Sequence, residues 1–212
     1  MLVDFFERHT ALSVRRGQLV VRINELARAF RDKGQPVIWI RQEFKPDLSD
    51  AFLEMRRRGT RITIAGTEGC ELLPELERHA ADYVIVKKRY SAFFQTRLDA
   101  ILANLSAGTL VVAGINTHAC VRATVIDAYQ RDYDVVLASQ CIGSHDFEHH
   151  EVTIRYLGGG EDGVPYEQFG GDQSCFVRDC RPKAWSLSLP QPYTLQDDSC
   201  LTTSNSESAT TQ

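Results

Sequence analysis

The chain has 212 residues, 43% hydrophobic and 25% charged, enough for one domain with a substantial core. Its formal charge of −4 at pH 7 supplies no broad basic field, so no nucleic-acid partner is expected, and Arg56-Arg57-Arg58 reads as a solvated helix face. No apolar run approaches the roughly 18 residues of a membrane span and no signal-peptide pattern follows Met1, so the expectation is a soluble, cytoplasmic protein with no membrane partner.

In chain order, Leu19, Ile23, Leu26, Ala27 and Phe30 follow helical spacing and predict a helix from Gln18 to Lys33, stopped by Gly34. Pro36 opens a strand over Val37–Ile40. A short helix over 48–58, a loop through Gly66 and Gly69, and a helical piece around 72–79 come next. Tyr83–Val86 reads as a strand, Thr96–Leu105 as a helix, and Leu110–Ala113 as a buried strand broken at Gly114. Val121, Val125, Ala128 and Tyr129 lie on one helix face, and Asp134–Ala138 is a further strand. Past Gly158 the sequence is polar and unpatterned, with no convincing helix or strand; 158–212 is expected to be a disordered tail. Short apolar strands alternating with amphipathic helices predict an α/β fold, a doubly wound parallel sheet with helices on both faces and the site at the strands' C-terminal ends.

Cys120 falls at the turn from the 109–113 strand into the next helix. Backbone N–H groups there lack intrahelical partners and the helix dipole favours negative charge, which suits a thiolate and an adjacent oxyanion. The same cysteine also reads as a small buried apolar residue. Lys87 and Lys88 close the strand at 83–86, where an ammonium could lower a thiol pKa; equally they could mark an exposed strand end. The six cysteines, at 70, 120, 141, 175, 180 and 200, are too scattered for a disulfide scaffold, and Cys175 and Cys180 lack a matching histidine pair, so free thiols are expected. Gly66, Thr67 and Gly69 lack the lysine of a phosphate loop. His145, His149 and His150 do not make a metal set, because 149 and 150 point to different helix faces. His118 is read as a turn residue, lining a pocket or facing solvent.

The segments VIVKKRYSAFFQTRL (84–98) and VVAGINTHACVRATVIDAY (111–129) resemble the isochorismatase-like cysteine hydrolases, and the resemblance covers residues 1–157. It implies that Cys120 is the nucleophile, within a match that includes Gly114, Thr117 and Val121, and that Lys87, three residues before Tyr90-Ser91-Ala92-Phe93, is the supporting lysine. It implies a cis peptide between Ile115 and Asn116 and an oxyanion hole from the N–H groups of Asn116 and Cys120. Retention of the cysteine points to the amidohydrolase branch: hydrolysis of a small amide, ureide or related C–N substrate through a thioester. The family's base is an aspartate closing the first strand. In the better register Asp4-Phe5 matches a later acid and phenylalanine, which leaves that aspartate and most of the first strand missing; in the other register Asp4 is the base and Met1-Leu2-Val3 is a stub of the strand. A chain without the base would be catalytically impaired, or a binding or oligomerisation module. Arg41, Gln42, Glu43 and Phe44 stand where metal-dependent relatives carry an aspartate and histidines, so no metal and no cofactor is implied. Gln42, Phe44, Tyr90 and Thr117 are candidate substrate contacts, and the resemblance implies a homo-oligomer acting on a small molecule.

Overall fold

The computed structural model describes residues 1–158 and the backbone of Glu167–Gln168. The first thirty-two residues are almost entirely helical: Val3–Arg8 (α1) and Thr10–Asp32 (α2) are separated only by the extended backbone of His9. Helix α2 starts well before Gln18 because Leu12, fully buried, extends the apolar stripe of Leu19, Ile23 and Leu26 past the polar run Arg15-Arg16-Gly17. It ends as its sequence dictates, with Gly34 in the left-handed region (φ 67°). Leu2 makes an antiparallel bridge to Leu72 and Val3 is already helical, so Met1–Val3 form no stub of a parallel strand.

Strands Ile38–Gln42 (β1) and Tyr83–Lys87 (β2) pair in parallel, with Ile40 opposite Ile85 and Gln42 opposite Lys87. Thr109–Ile115 (β3), Asp134–Gly143 (β4) and Glu167–Gln168 (β5) form a second parallel group in the order β3-β4-β5. Successive side chains point to opposite faces. Trp39, Val111 and Ala113 meet the cluster built on α2, while Ile38, Ile40, Leu110 and Val112 meet the one built on Leu98–Asn104 (α4), Arg122–Tyr129 (α5) and Phe147–Leu157 (α6). Helices therefore cover both faces of parallel strands, the α/β arrangement expected. Among the described residues, no helix is long and apolar enough to cross a membrane.

The sheet, however, comes in two pieces. Among the described residues β1 pairs only with β2, and no strand pairing joins it to β3. A cavity of about 600 Å³ lies between them, walled by Ile38–Ile40 and Leu110–Ala113 and floored by Ala27 and Leu102. Leu110–Ala113 are consequently half-buried rather than buried.

Three further segments differ from the sequence reading. Leu72, Leu73 and Leu76 are buried without forming a helix; Pro74 breaks the run, and the Asn24 side chain holds it by donating to Glu75 O (2.8 Å) and accepting from Glu77 N–H (2.9 Å). The helix of 48–58 is confined to Leu53–Arg58 (α3), because Pro46–Asp50 form a turn in which Asp50 accepts from Lys45 N–H and Leu48 takes φ 61°. The short strand β5 pairs with Val136 and Leu137 inside the segment read as tail; the remainder of that expectation lies outside the described residues.

Candidate active site

Strand β3 leaves the sheet through Gly114 (φ 119°), a conformation that side chains disfavour, and the following Ile115–Asn116 peptide is cis. The chain then winds a π-helical turn, Thr117–Val121, around one oxygen: the Asn116 carbonyl accepts from both Ala119 N–H and Val121 N–H at 3.1 Å. Regular helix α5 begins only at Arg122, so Cys120 lies in the wide turn and not at a simple helix start.

Lys87 closes β2 and is buried. Its ammonium donates to Arg89 O (2.8 Å) and Tyr90 O (2.6 Å) and lies 3.1 Å from Cys120 Sγ. The strand-end lysine is thus not an exposed cap. Its neighbours turn the other way: Lys88 pairs with Asp50 at 3.0 Å, and Arg89 donates to Asp50 O and stacks on Phe52, fastening the 43–52 loop. Thr124 Oγ1 donates to Cys120 O (2.7 Å) and accepts from Ala92 N–H (3.0 Å), joining the two segments that carry Lys87 and Cys120. Sequence reading missed Thr124, although its place four residues after Cys120, on the same helical face, is a usable signal.

Residues 1–161 match the family model described as the isochorismatase domain. The chain belongs to that family. A probable inactive nicotinamidase from Arabidopsis thaliana is 38% identical over 163 residues, covering 71% of this chain and 81% of the relative. Ureidoacrylate amidohydrolase RutB from Methylorubrum extorquens is 34% identical over 139 residues, 58% of this chain, and the match spans 56% of that protein's length. The crystal structure of nicotinamidase PncA from Bacillus subtilis superposes with a TM-score of 0.63 at 26% identity, over 72% of this chain and 85% of that one.

Within this isochorismatase domain, Asp4 is engaged away from the thiol. It stands in the first turn of α1, accepts from Thr63 N–H at 2.5 Å, faces Arg8 at 3.9 Å and packs directly on Gly69. The hydrogen-bond partners of Lys87 are two carbonyls and the sulfur; no carboxylate is among them in the described residues. The four candidate substrate contacts are dispersed. Gln42 is buried at the C-terminal end of β1 level with Lys87. Phe44 is enclosed with Leu48, Ala51 and Ile64, a packing position. Tyr90 is half-exposed and its ring lies tilted against Phe52, with centroids 4.9 Å apart. Thr117 is fully buried and its hydroxyl bonds His150 Nδ1 at 2.8 Å. Arg41 is held by Glu71 and Glu43.

A group of imidazoles adjoins the turn. His118 Nδ1 bonds Ser144 Oγ at 2.6 Å, the ring of His145 stacks on His9 with centroids 4.2 Å apart, and His118 meets His145 edge-on at 5.1 Å. Burial pushes His9, His118 and His145 below the usual imidazole range, and neighbouring imidazoles push each further the same way. His149 is raised instead, by its hydrogen bond to Asp146. Among the described residues Cys70, Cys120 and Cys141 are free thiols. Burial lifts Cys70, and lifts Cys141 to about 11, so neither is a ready nucleophile.

Proposed function

We propose that the chain is a cysteine-dependent hydrolase of a small amide, ureide or related C–N substrate, acting through a thioester. The observation that carries this reading is the 3.1 Å approach of the buried Lys87 ammonium to Cys120 Sγ at the head of α5. An ammonium at that distance can hydrogen-bond the sulfur and hold it in place for attack. Cys120 attacks the substrate carbonyl carbon, its thiol proton passing through water to the leaving nitrogen, the developing oxyanion is received by the N–H groups of Asn116 and Cys120, and collapse breaks the C–N bond and expels the amine. Water then attacks the thioester and frees the acid and Cys120. Gln42 and Tyr90 are the candidate rim contacts for the substrate, and the family resemblance supports a homo-oligomer, which light scattering in solution would test.

Expulsion of an amine requires a proton, and departure of an activated phenolate does not. That difference bears on a second reading, a catalytically impaired domain that binds without efficient turnover, which the partners of Lys87 among the described residues, two carbonyls and a sulfur with no carboxylate, favour. Both are tested with one protein. Iodoacetamide at neutral pH should label Cys120 stoichiometrically, mapped by peptide mass spectrometry, and a p-nitrophenyl ester should give a burst of one equivalent. Turnover on an amide and ureide panel supports the first reading; a burst with no amide turnover supports the second. Absence of both labelling and burst rejects the cysteine chemistry.

A further inference from the structure

Thr124 stands one turn past Cys120 in α5, and its hydroxyl touches both segments of the cysteine centre. We propose that Thr124 is a positioning residue: through Ala92 N–H it holds the Lys87 ammonium and Cys120 Sγ in register. It thereby sets the rate at which the cysteine is acylated and not the affinity for the acyl donor. The inference rests on the reading of Cys120 as a nucleophile and adds to it a side chain that acts through the other two.

Three observations carry it. First, a threonine hydroxyl has one hydrogen to donate and lone pairs with which to accept. In a helix it commonly bonds the carbonyl one turn back, and the 2.7 Å bond from Thr124 Oγ1 to Cys120 O is by itself of that kind. Here the same oxygen also accepts from Ala92 N–H at 3.0 Å, in a segment remote in the chain. Its hydrogen is committed to the cysteine carbonyl and a lone pair to the other segment. Second, Ala92 follows the turn in which the lysine is seated. Lys87 Nζ donates to Arg89 O (2.8 Å) and Tyr90 O (2.6 Å) and approaches Cys120 Sγ at 3.1 Å. The contacts close a ring: Sγ to Nζ, Nζ to Tyr90 O, along the chain to Ala92 N–H, then through Thr124 Oγ1 to Cys120 O and back to the same residue's sulfur. Third, among the described residues these are the hydrogen bonds that join segments 84–98 and 117–124. The hydroxyls of Ser91 and Thr96 bond within their own turn. Otherwise the two segments meet through Ala92, Phe93, Val121 and Val125, buried in one apolar cluster. Apolar contact brings segments together without direction, whereas hydrogen bonds fix distance and angle. Deleting the hydroxyl therefore keeps the packing and loosens the register of ammonium and sulfur, and misplacement of about 1 Å can cost a reaction up to roughly a hundredfold.

The test follows the pre-steady-state burst of the full chain with p-nitrophenyl acetate. Cys120 Sγ bonds the acetyl carbon, the ester C–O bond breaks, p-nitrophenolate leaves and the thiol proton passes to solvent. Thr124→Val keeps the branched shape and removes the hydroxyl. It should lower the limiting acylation rate about tenfold, with the half-saturating ester concentration unchanged. Thr124→Ser keeps the hydroxyl and should restore the rate. Thr124→Val combined with Lys87→Met should be no slower than Lys87→Met alone, because a residue acting through the lysine contact then has nothing left to position. Thr124→Ala removes the hydroxyl at smaller volume and gives the same readout should valine not be accommodated. An unchanged rate in the valine and alanine variants overturns the inference. So does an equal fall in the serine variant, a raised half-saturating concentration in place of a rate change, or a multiplicative loss in the double variant. A parent chain with neither burst nor labelling rejects the cysteine reading itself and this inference with it, whereas a reactive parent with any of the preceding results overturns the inference alone.

Discussion

The choice between Lys87 and Lys88 illustrates what single residues decide. Both close the same strand, but only Lys87 turns inward to the sulfur, whereas Lys88 is spent on Asp50. Lys87→Met keeps the length of the side chain and removes the ammonium that contacts the sulfur. The rate of Cys120 alkylation at pH 7 should then fall about tenfold, the loss of one charge-assisted contact. An unchanged rate would mean that the contact does not set thiol reactivity. Gly69 is a second decisive position. A Cβ there would overlap the Asp4 carboxyl group, which would have to abandon Thr63 N–H. Gly69→Ala should cost about 2 kcal/mol, and Asp4→Ala should recover part of that loss in a urea titration of the double variant. The pairing of Lys87 with Cys120 was legible in sequence because both lie in long, ordered segments at the ends of strands. The position of Asp4 was not, since its partners at 63 and 69 are remote in the chain and give no periodic signal.

Two groups of contacts hold elements together and respond to pH in the same direction by different means. Asp82 receives Arg31 Nη2 at 2.6 Å, Trp39 Nε1 at 2.8 Å and His79 N–H at 2.9 Å, tying α2, β1 and the approach to β2. Burial alone would raise this carboxyl, but those donors hold it at about 2 against an ordinary 3.8. The native state therefore holds its proton less tightly than the unfolded chain. The resulting stabilisation is complete above about pH 4 and disappears as pH falls through 2. Asp82→Asn should cost about 2 kcal/mol at pH 7 and flatten stability between pH 4 and 2, followed by thermal melts or Trp39 fluorescence. The imidazoles act nearer neutrality. His9, His118 and His145 come from the α1–α2 joint, the π-helical turn and the β4–α6 connection, and burial makes each harder to protonate than in the unfolded chain. Stability should accordingly hold above about pH 6.5 and decline below it, with the raised His149 offsetting part of the decline. His145→Phe keeps a ring against His9 without a charge and should shrink the fall in melting temperature between pH 7 and 5. A fall as steep as in the parent would show that the cluster does not govern it.

At the scale of the molecule, β1 to β4 and the helices α2, α4 and α5 could be read from their own apolar spacing, whereas α1, β5 and the non-helical run at 72–79 could not, and neither could the pairing of the strands. Local periodicity distinguishes Trp39 from Ile40 across the sheet and α2 from α4 around it, whereas the missing pairing between β1 and β3 is a relation between residues seventy apart, which no window of the sequence contains. The open slot also explains why β3, a run of seven mostly apolar residues, is half-buried along most of its length. Apolar walls that meet no partner atoms forfeit both transfer free energy and dispersion contacts. Ala27 faces this void from a well-formed helix, so Ala27→Leu adds side chain to empty space with little backbone cost. Such a filling substitution should contribute about 1 kcal/mol, or roughly 2–4 °C in melting temperature for a chain of this size, and should reduce binding of the apolar dye ANS. Unchanged stability would show that Ala27 borders a different space, while a destabilised variant would show that the walls already close on each other in solution.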